Sequence, residues 1–200
     1  EELFVYAEVP YDIKPFADLL DDPKKSIVYN ADREEAISAR ESSLGLDGRY
    51  VTDRSGGICR ANLVEKLLVP LLAKVSNFIP GAGFWMNTQR PEWNDANNAL
   101  AGYGRSMVTV AYLRRFLAFL AELVSEADES SWEVAKEVAD YLLGVSRVLA
   151  ETRPEAGTRV SPRDRKAFMD RVGQLGSDYR ERVYRRPSGR QMVVSRQQVL

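Results

Sequence analysis

The chain has 200 residues, with 28 Lys and Arg against 29 Asp and Glu, one Cys and no His. Without imidazole it builds no Ser–His–Asp or Cys–His triad and no His-ligated zinc site, and a single thiol excludes Cys-rich zinc sites and an internal disulfide. At 44% hydrophobic and 28% charged residues it fits a soluble globular protein with a sizeable core, whose acid–base chemistry falls to carboxylates, Lys, Tyr or Cys59.

No apolar run approaches the ~20 residues that cross a bilayer, so no membrane partner is expected. No signal peptide is legible, which favours a cytoplasmic setting; the chain opens on Glu1, as a trimmed or partial polypeptide does. Charge is unevenly spread. From Thr152 onward there are twelve basic and five acidic residues, and the preceding 151 residues carry 16 basic and 24 acidic ones. An Arg-rich end can serve a partner or an anionic surface. Sparse stacking aromatics and the lack of a known nucleic-acid motif argue against nucleic acid, and favour docking on acidic parts of the same molecule.

Residues 1–58 form an irregular leading segment. Leu3 to Tyr6 and Ser26 to Tyr29 are short extended runs, Ile13 to Leu20 suits a short helix, and Asp32 to Ser42 is polar and helix-tolerant. Asp47-Gly48 and Ser55-Gly56-Gly57 are turn signals; the latter, flanked by Arg54 and Arg60, is a weak phosphate cradle that lacks the P-loop lysine. Residues 59–186 read as a helical domain. Leu63, Leu67, Leu68, Leu71, Leu72 and Val75 make one apolar face, and Pro70 predicts a kink or break because it lacks an N–H. Pro80 to Gly83 ends this helix and opens a loop to about Trp93.

A long helix is predicted from Asn94 or Ala96 to Glu126, apolar enough to be buried on most sides. Within it, Gly102 to Ser106 suits tight packing or, through Arg105, anion binding. A third helix is predicted after Ser130, with Glu133 completing a capping box. A fourth follows Ser161-Pro162, where Ser caps and Pro fits the first position, and it ends near Tyr184. Residues 187–200 are a basic tail with one strand, Gln191 to Ser195. Short connections favour antiparallel neighbours. The fold class is therefore mainly α: packed helical hairpins with a small irregular or β-containing N-terminal segment.

The segment Gly81 to Leu100 stands apart. It concentrates two Trp, four Asn, one Gln, one Arg and two carboxylates in twenty residues. Carbohydrate sites use such mixtures: indole faces (Trp85, Trp93) stack on sugar rings, while Arg90, Asn94 and Asn97 bond hydroxyls. Glycosidic cleavage needs a carboxylic acid to protonate the leaving oxygen, and burial beside Trp keeps such an acid protonated. The same residues also suit plainer roles, with Asn94 or Asp95 capping the following helix and the indoles serving as core. Glu34, Glu35 and Glu41 are candidate second carboxylates on a helix face.

Trp93-Asn94-Asp95 resembles the Trp-Asn-Asp motif of the inverting (α/α)6-barrel sugar enzymes, such as cellobiose and chitobiose phosphorylases. The resemblance spans the motif and the helical pattern of about residues 60 to 150. Pro91-Glu92 and Ala96-Asn97-Asn98 depart from that family's usual flanks. It implies that Asp95 is the general acid, that Trp93 lies in the sugar site, and that the chain is part of an (α/α) toroid acting on carbohydrate. Inorganic phosphate would be the attacking group in a phosphorylase and a second carboxylate would activate water in a hydrolase; neither needs a cofactor or metal. The alternatives are a non-catalytic carbohydrate-binding or oligomerisation module, and a helical scaffold with an Arg-rich partner-binding end.

Overall fold

The computed structural model describes residues 4–86, 103–154 and 158–200. In the leading segment, β1 (Phe4–Val5) pairs with β4 (Arg60–Ala61), and β2 (Tyr11–Ile13) pairs with β3 (Ile27–Tyr29), both antiparallel. Between β2 and β3 lies α1 (Phe16–Asp21), and α2 (Ala31–Leu44) follows, its first turn capped by the Asn30 side chain. Only Ile37 of α2 is buried. Ion pairs hold the rest of that helix down: Arg33 to Asp12 and Glu8, and Arg40 to Glu8. A 3₁₀ turn at Gly45–Arg49 closes the unit.

The core is built on α3 (Leu63–Val75), capped by Asn62, whose side chain accepts the Glu65 N–H. The expected break at Pro70 does not occur; the helix runs through it. Proline in a helix costs about 3 kcal/mol. Leu68, Leu71 and Leu72 beside it are buried, each contributing roughly 1.5–3 kcal/mol, so packing outweighs the lost hydrogen bond, and Pro70 itself sits on the exposed face.

The loop expected from Pro80 begins instead as a hairpin. β5 (Phe78–Ile79) pairs with β6 (Gly83–Trp85), and β6 with β7 (Arg105–Ser106). Gly83 allows this: its φ is +112°, and a Cβ there would lie 2.8 Å from the Ser106 carbonyl oxygen. Arg105 and Ser106 therefore belong to a strand, not to the helix expected from residue 94 or 96. The helix α4 (Val108–Glu126) starts only where the Ser106 hydroxyl accepts the Thr109 N–H. Expected to be buried on most sides, α4 buries only Leu120 and Val124, and Val108, Tyr112, Leu117 and Phe119 are exposed.

A second correction falls on Ser131–Ala135, expected as helix. It forms β8, paired antiparallel with β9 (Gln191–Ser195) in the register Trp132↔Val194 and Val134↔Met192. Trp132 and Val134 turn inward while Ser131 and Glu133 are exposed, the alternation of a strand with one covered face. The predicted strand at 191–195 is present with those bounds. Next come α5 (Lys136–Thr152), α6 (Pro162–Tyr184) and a single turn, α7 (Arg196–Val199). The Ser161-Pro162 start of α6 is as predicted, with the Ser161 hydroxyl accepting the Asp164 N–H.

Helices α5 and α6 run antiparallel. Arg182 near the end of α6 pairs with Asp140 near the start of α5, and Arg171 pairs with Glu151 near the end of α5. Burial alone would raise the Asp140 carboxyl, but hydrogen bonds from Lys136 and Arg182 outweigh it and hold the group below its ordinary range. Between these ion pairs, Tyr141 stacks on Tyr179 at 4.9 Å. Gly176 lets α6 approach closely, because a Cβ there would meet the Ser76 hydroxyl at 2.5 Å and the Tyr141 hydroxyl at 2.9 Å. The main cluster joins α3, α4, α5, β8 and β9 through Leu68, Leu72, Val124, Val134, Val138 and Val194. The architecture is mainly α with four small sheets, and the described residues do not form an (α/α)6 barrel. No described helix is long and apolar enough to cross a membrane.

Two substitutions on neighbouring positions of α4 test its orientation. Leu120→Ala is expected to lose about 2–5 kcal/mol in urea unfolding, and the exposed Phe119→Ala no more than about 0.5 kcal/mol; equal losses would mean that α4 is buried all round. Gly176→Ala gains helix propensity of about 1 kcal/mol but overpacks Ser76 and Tyr141, so a net loss of about 1–2 kcal/mol is expected in the same assay.

Candidate functional site

Of the six residues singled out from the sequence, Asp95, Trp93, Arg90, Asn94 and Asn97 lie outside the described residues. Trp85 is described. It ends β6, half-buried, with its N–H donated to the Asn77 carbonyl at 2.8 Å and its backbone opposite Arg105. The Met86 N–H reaches the Gly104 carbonyl at 3.1 Å. The described residues that flank the motif-bearing segment on either side are thus paired in one three-stranded sheet.

That sheet is seated firmly. Phe84 is buried and packs on Phe78 at 5.2 Å, and Phe78 meets Phe168 of α6 edge-on at 6.0 Å. Arg165 of α6 donates from Nε to the Pro80 carbonyl at 2.9 Å. On the exposed side lie Tyr103, whose ring is approached by the Lys24 ammonium at 4.7 Å, and Arg105. Trp85 and Arg105 are therefore register partners, and the exposed Tyr103 lies two residues before Arg105. Aromatic faces and a guanidinium offer stacking and hydroxyl hydrogen bonding at this mouth. Sequence reasoning placed Tyr103 and Arg105 on a helix; the strand pairing is what brings Arg105 beside Trp85.

The other candidates resolve differently. In the turn at Ser55 to Gly57, the Asp53 carboxylate accepts the Ser55 N–H, the Ser55 hydroxyl and the Gly57 N–H, so the amides that would hold a phosphate are already occupied. Glu41 pairs with Arg49, and Glu35 is exposed. Among the described residues no cluster of three or more Cys, Asp or Glu side chains is placed to hold a metal.

Two buried carboxylates were not legible in the sequence. Glu65 is 2% exposed and accepts the Tyr6 hydroxyl at 2.9 Å and the Ala135 N–H at 2.7 Å. Burial first, then the Glu65 charge, pushes the Tyr6 phenol far above its ordinary value. Glu137 accepts the Ser188 N–H at 2.9 Å through Oε1, and its buried Oε2 has no hydrogen-bond partner among the described residues. The signal for Glu65 was the spacing Asn62-x-x-Glu65, which reads as a capping box; here the carboxylate turns to Tyr6 and Ala135 instead.

Cys59 is half-buried, and burial together with the negative charges of Asp53, Glu137 and Glu65 pushes its thiol up to about 11. The thiolate is then scarce at neutral pH, so the group is inert as a nucleophile. Its alkylation rate is expected to climb about tenfold per pH unit from pH 8 to pH 10, where a thiol of ordinary pKa levels off near pH 9; stopped-flow or mass-spectrometric labelling over that range distinguishes the two. No protein-family model matches the chain, and no curated protein matches it.

Proposed function

We propose that this chain acts on carbohydrate, cleaving a glycosidic bond with inversion. The observation that carries this reading is the Trp93-Asn94-Asp95 motif in a segment dense with indoles and amides. The anchoring of that segment supports it: a site works best when rigid elements hold its base, and here β6 and β7 do so, with Trp85 and Arg105 paired at its root.

In this reading Asp95 is the general acid. Its protonated carboxyl donates to the glycosidic oxygen as the bond to the anomeric carbon breaks, and the carboxylate remains. Trp93 and Trp85 stack on the sugar faces, and Arg90, Asn94 and Asn97 bond hydroxyls and set the ring against the acid. The attacking group enters from the opposite face of the ring. In a phosphorolytic reaction it is inorganic phosphate, already a competent nucleophile; in a hydrolytic one it is water activated by a second carboxylate about 6.5–9.5 Å from the first.

The test incubates the chain with β-linked gluco- and chito-disaccharides, with and without phosphate, and reads the anomer formed by NMR. Asp95→Asn is expected to lower turnover by about 10²–10⁴-fold with disaccharide binding retained. Unchanged turnover in that variant overturns the assignment. Disaccharide binding with no turnover by the wild type identifies a non-catalytic binding module instead.

A further inference from the structure

A second site is suggested by the surroundings of Arg180 on α6, where the Arg residues around it are ion-paired. Arg171 and Arg182 pair with Glu151 and Asp140 of α5, and Arg185 pairs with Glu181 at 2.6 Å. Arg180 has no ion pair among the described residues. Its side chain is half-buried, and its Nε is fully buried without a hydrogen-bond acceptor among the described residues. Burial lowers its guanidinium pKa, and its electrostatic neighbours are the phenols of Tyr184 and Tyr141, not carboxylates. A partly desolvated cation with no counter-charge is unfavourable by itself, and a bound anion relieves that penalty.

Arg180 lines a cavity of about 620 Å³ between α6 and the β2–α1 connection. The charges in its wall nearly cancel before Arg180 is counted. Asp12 is taken by Arg33, and Glu181 by Arg185. What remains is Arg180 and Lys14 against the exposed Asp18 on α1. The Lys14 ammonium has no acceptor among the described residues.

The uncharged groups in the wall are donors as well. Ser177 Oγ accepts the Phe16 N–H at 3.0 Å, and Tyr184 Oη accepts the Ile13 N–H at 3.0 Å. Each oxygen thus has its lone-pair side engaged by backbone, which leaves its own O–H to be donated. A guanidinium, an ammonium and two hydroxyls line one cavity, and among the described residues Asp18 is its one carboxylate without an ion pair. A planar carboxylate satisfies two or three such donors, whereas a tetrahedral oxyanion presents acceptors in enough directions for all of them.

We propose that this cleft binds a phosphate group, with Arg180 as its principal ligand and Lys14, Ser177 and Tyr184 completing the shell. The phosphate here is a bound ligand and not the attacking group of the reaction above. The inference does not rest on that reading.

The test is isothermal titration of the full chain with inorganic phosphate and, separately, with glycerol phosphate, at low ionic strength. Saturable binding is expected at one site. Arg180→Gln is expected to weaken it by at least about tenfold, and Lys14→Gln, at the more open side of the cavity, by about threefold. Lys14→Gln leaves the packed face of α6 untouched, so it reports even if Arg180→Gln fails to fold. Tighter binding of glycerol phosphate assigns the cleft to a phosphorylated ligand, and tighter binding of inorganic phosphate assigns it to the free ion. Asp95→Asn tests the glycosidic reading and the two cavity variants test this one, so the two can fail independently. A wild type that takes up neither compound at tens of millimolar, or affinity unaltered in both cavity variants, overturns the proposal.

Discussion

A single buried carboxylate holds three distant parts of the chain in register. Glu65, in the first turn of α3, receives the Tyr6 hydroxyl from the leading segment and the Ala135 N–H from the joint of β8 and α5. Its neighbours on the same turn reinforce both links. Lys66 donates to the Val5 carbonyl at 2.6 Å and lies 3.9 Å from the Tyr6 ring centroid, and Asn62 donates to the Glu133 carbonyl at 2.6 Å. Desolvating a carboxylate carries a penalty of several kcal/mol, and only well-placed hydrogen bonds offset it. An arrangement in which β1, α3 and β8 drift apart leaves that charge buried and unsatisfied. Specificity for this packing therefore comes from a polar group, while the leucines and valines around it supply the burial.

The helices were legible where local signals and burial agree. The apolar face of Leu63 to Val75, the Ser161-Pro162 start of α6 and the strand at Gln191 to Ser195 each follow from residues within a few positions. Legibility failed where a distant partner decides. Ser131 to Ala135 satisfies a helical spacing as well as a strand alternation, and only β9 selects the strand. Arg105 and Ser106 join β6 for the same reason. Pro70 is the converse case: a local rule predicts a kink or break, and the helix continues through it because leucines pack around it. The candidate sugar site is legible as composition, because indoles, amides and carboxylates crowd twenty residues. The root that anchors it is not, since nothing near Trp85 in the chain specifies Arg105 as its partner. Arg180 is less legible still: nothing local among the eleven Arg of the last 49 residues marks the one that is buried beside phenols.

Charge asymmetry along the chain turns out to be partly internal. The basic C-terminal portion meets carboxylates of α5 through Arg171 and Arg182, and Arg196 donates to the Ala127 and Glu129 carbonyls that end α4 and its following loop. Exposed pairs of this kind contribute little each, about 0–1 kcal/mol. Their effect is geometric: they fix the antiparallel alignment of α5 and α6 from both ends, while stacked Tyr141 and Tyr179 fill the middle.

The pairing of β8 with β9 also has a kinetic side. Trp132 and Val134 find their strand partners roughly sixty positions later, after two long helices have intervened. Val194, fully enclosed in the main cluster, arrives with that second strand. During synthesis α3, α4 and α5 emerge before the residues that complete the surface they share. Until β9 docks, β8 presents an open edge with an apolar inner face, the kind of surface that pairs with the wrong strand. The helical core is thus complete only once this long-range ladder has closed.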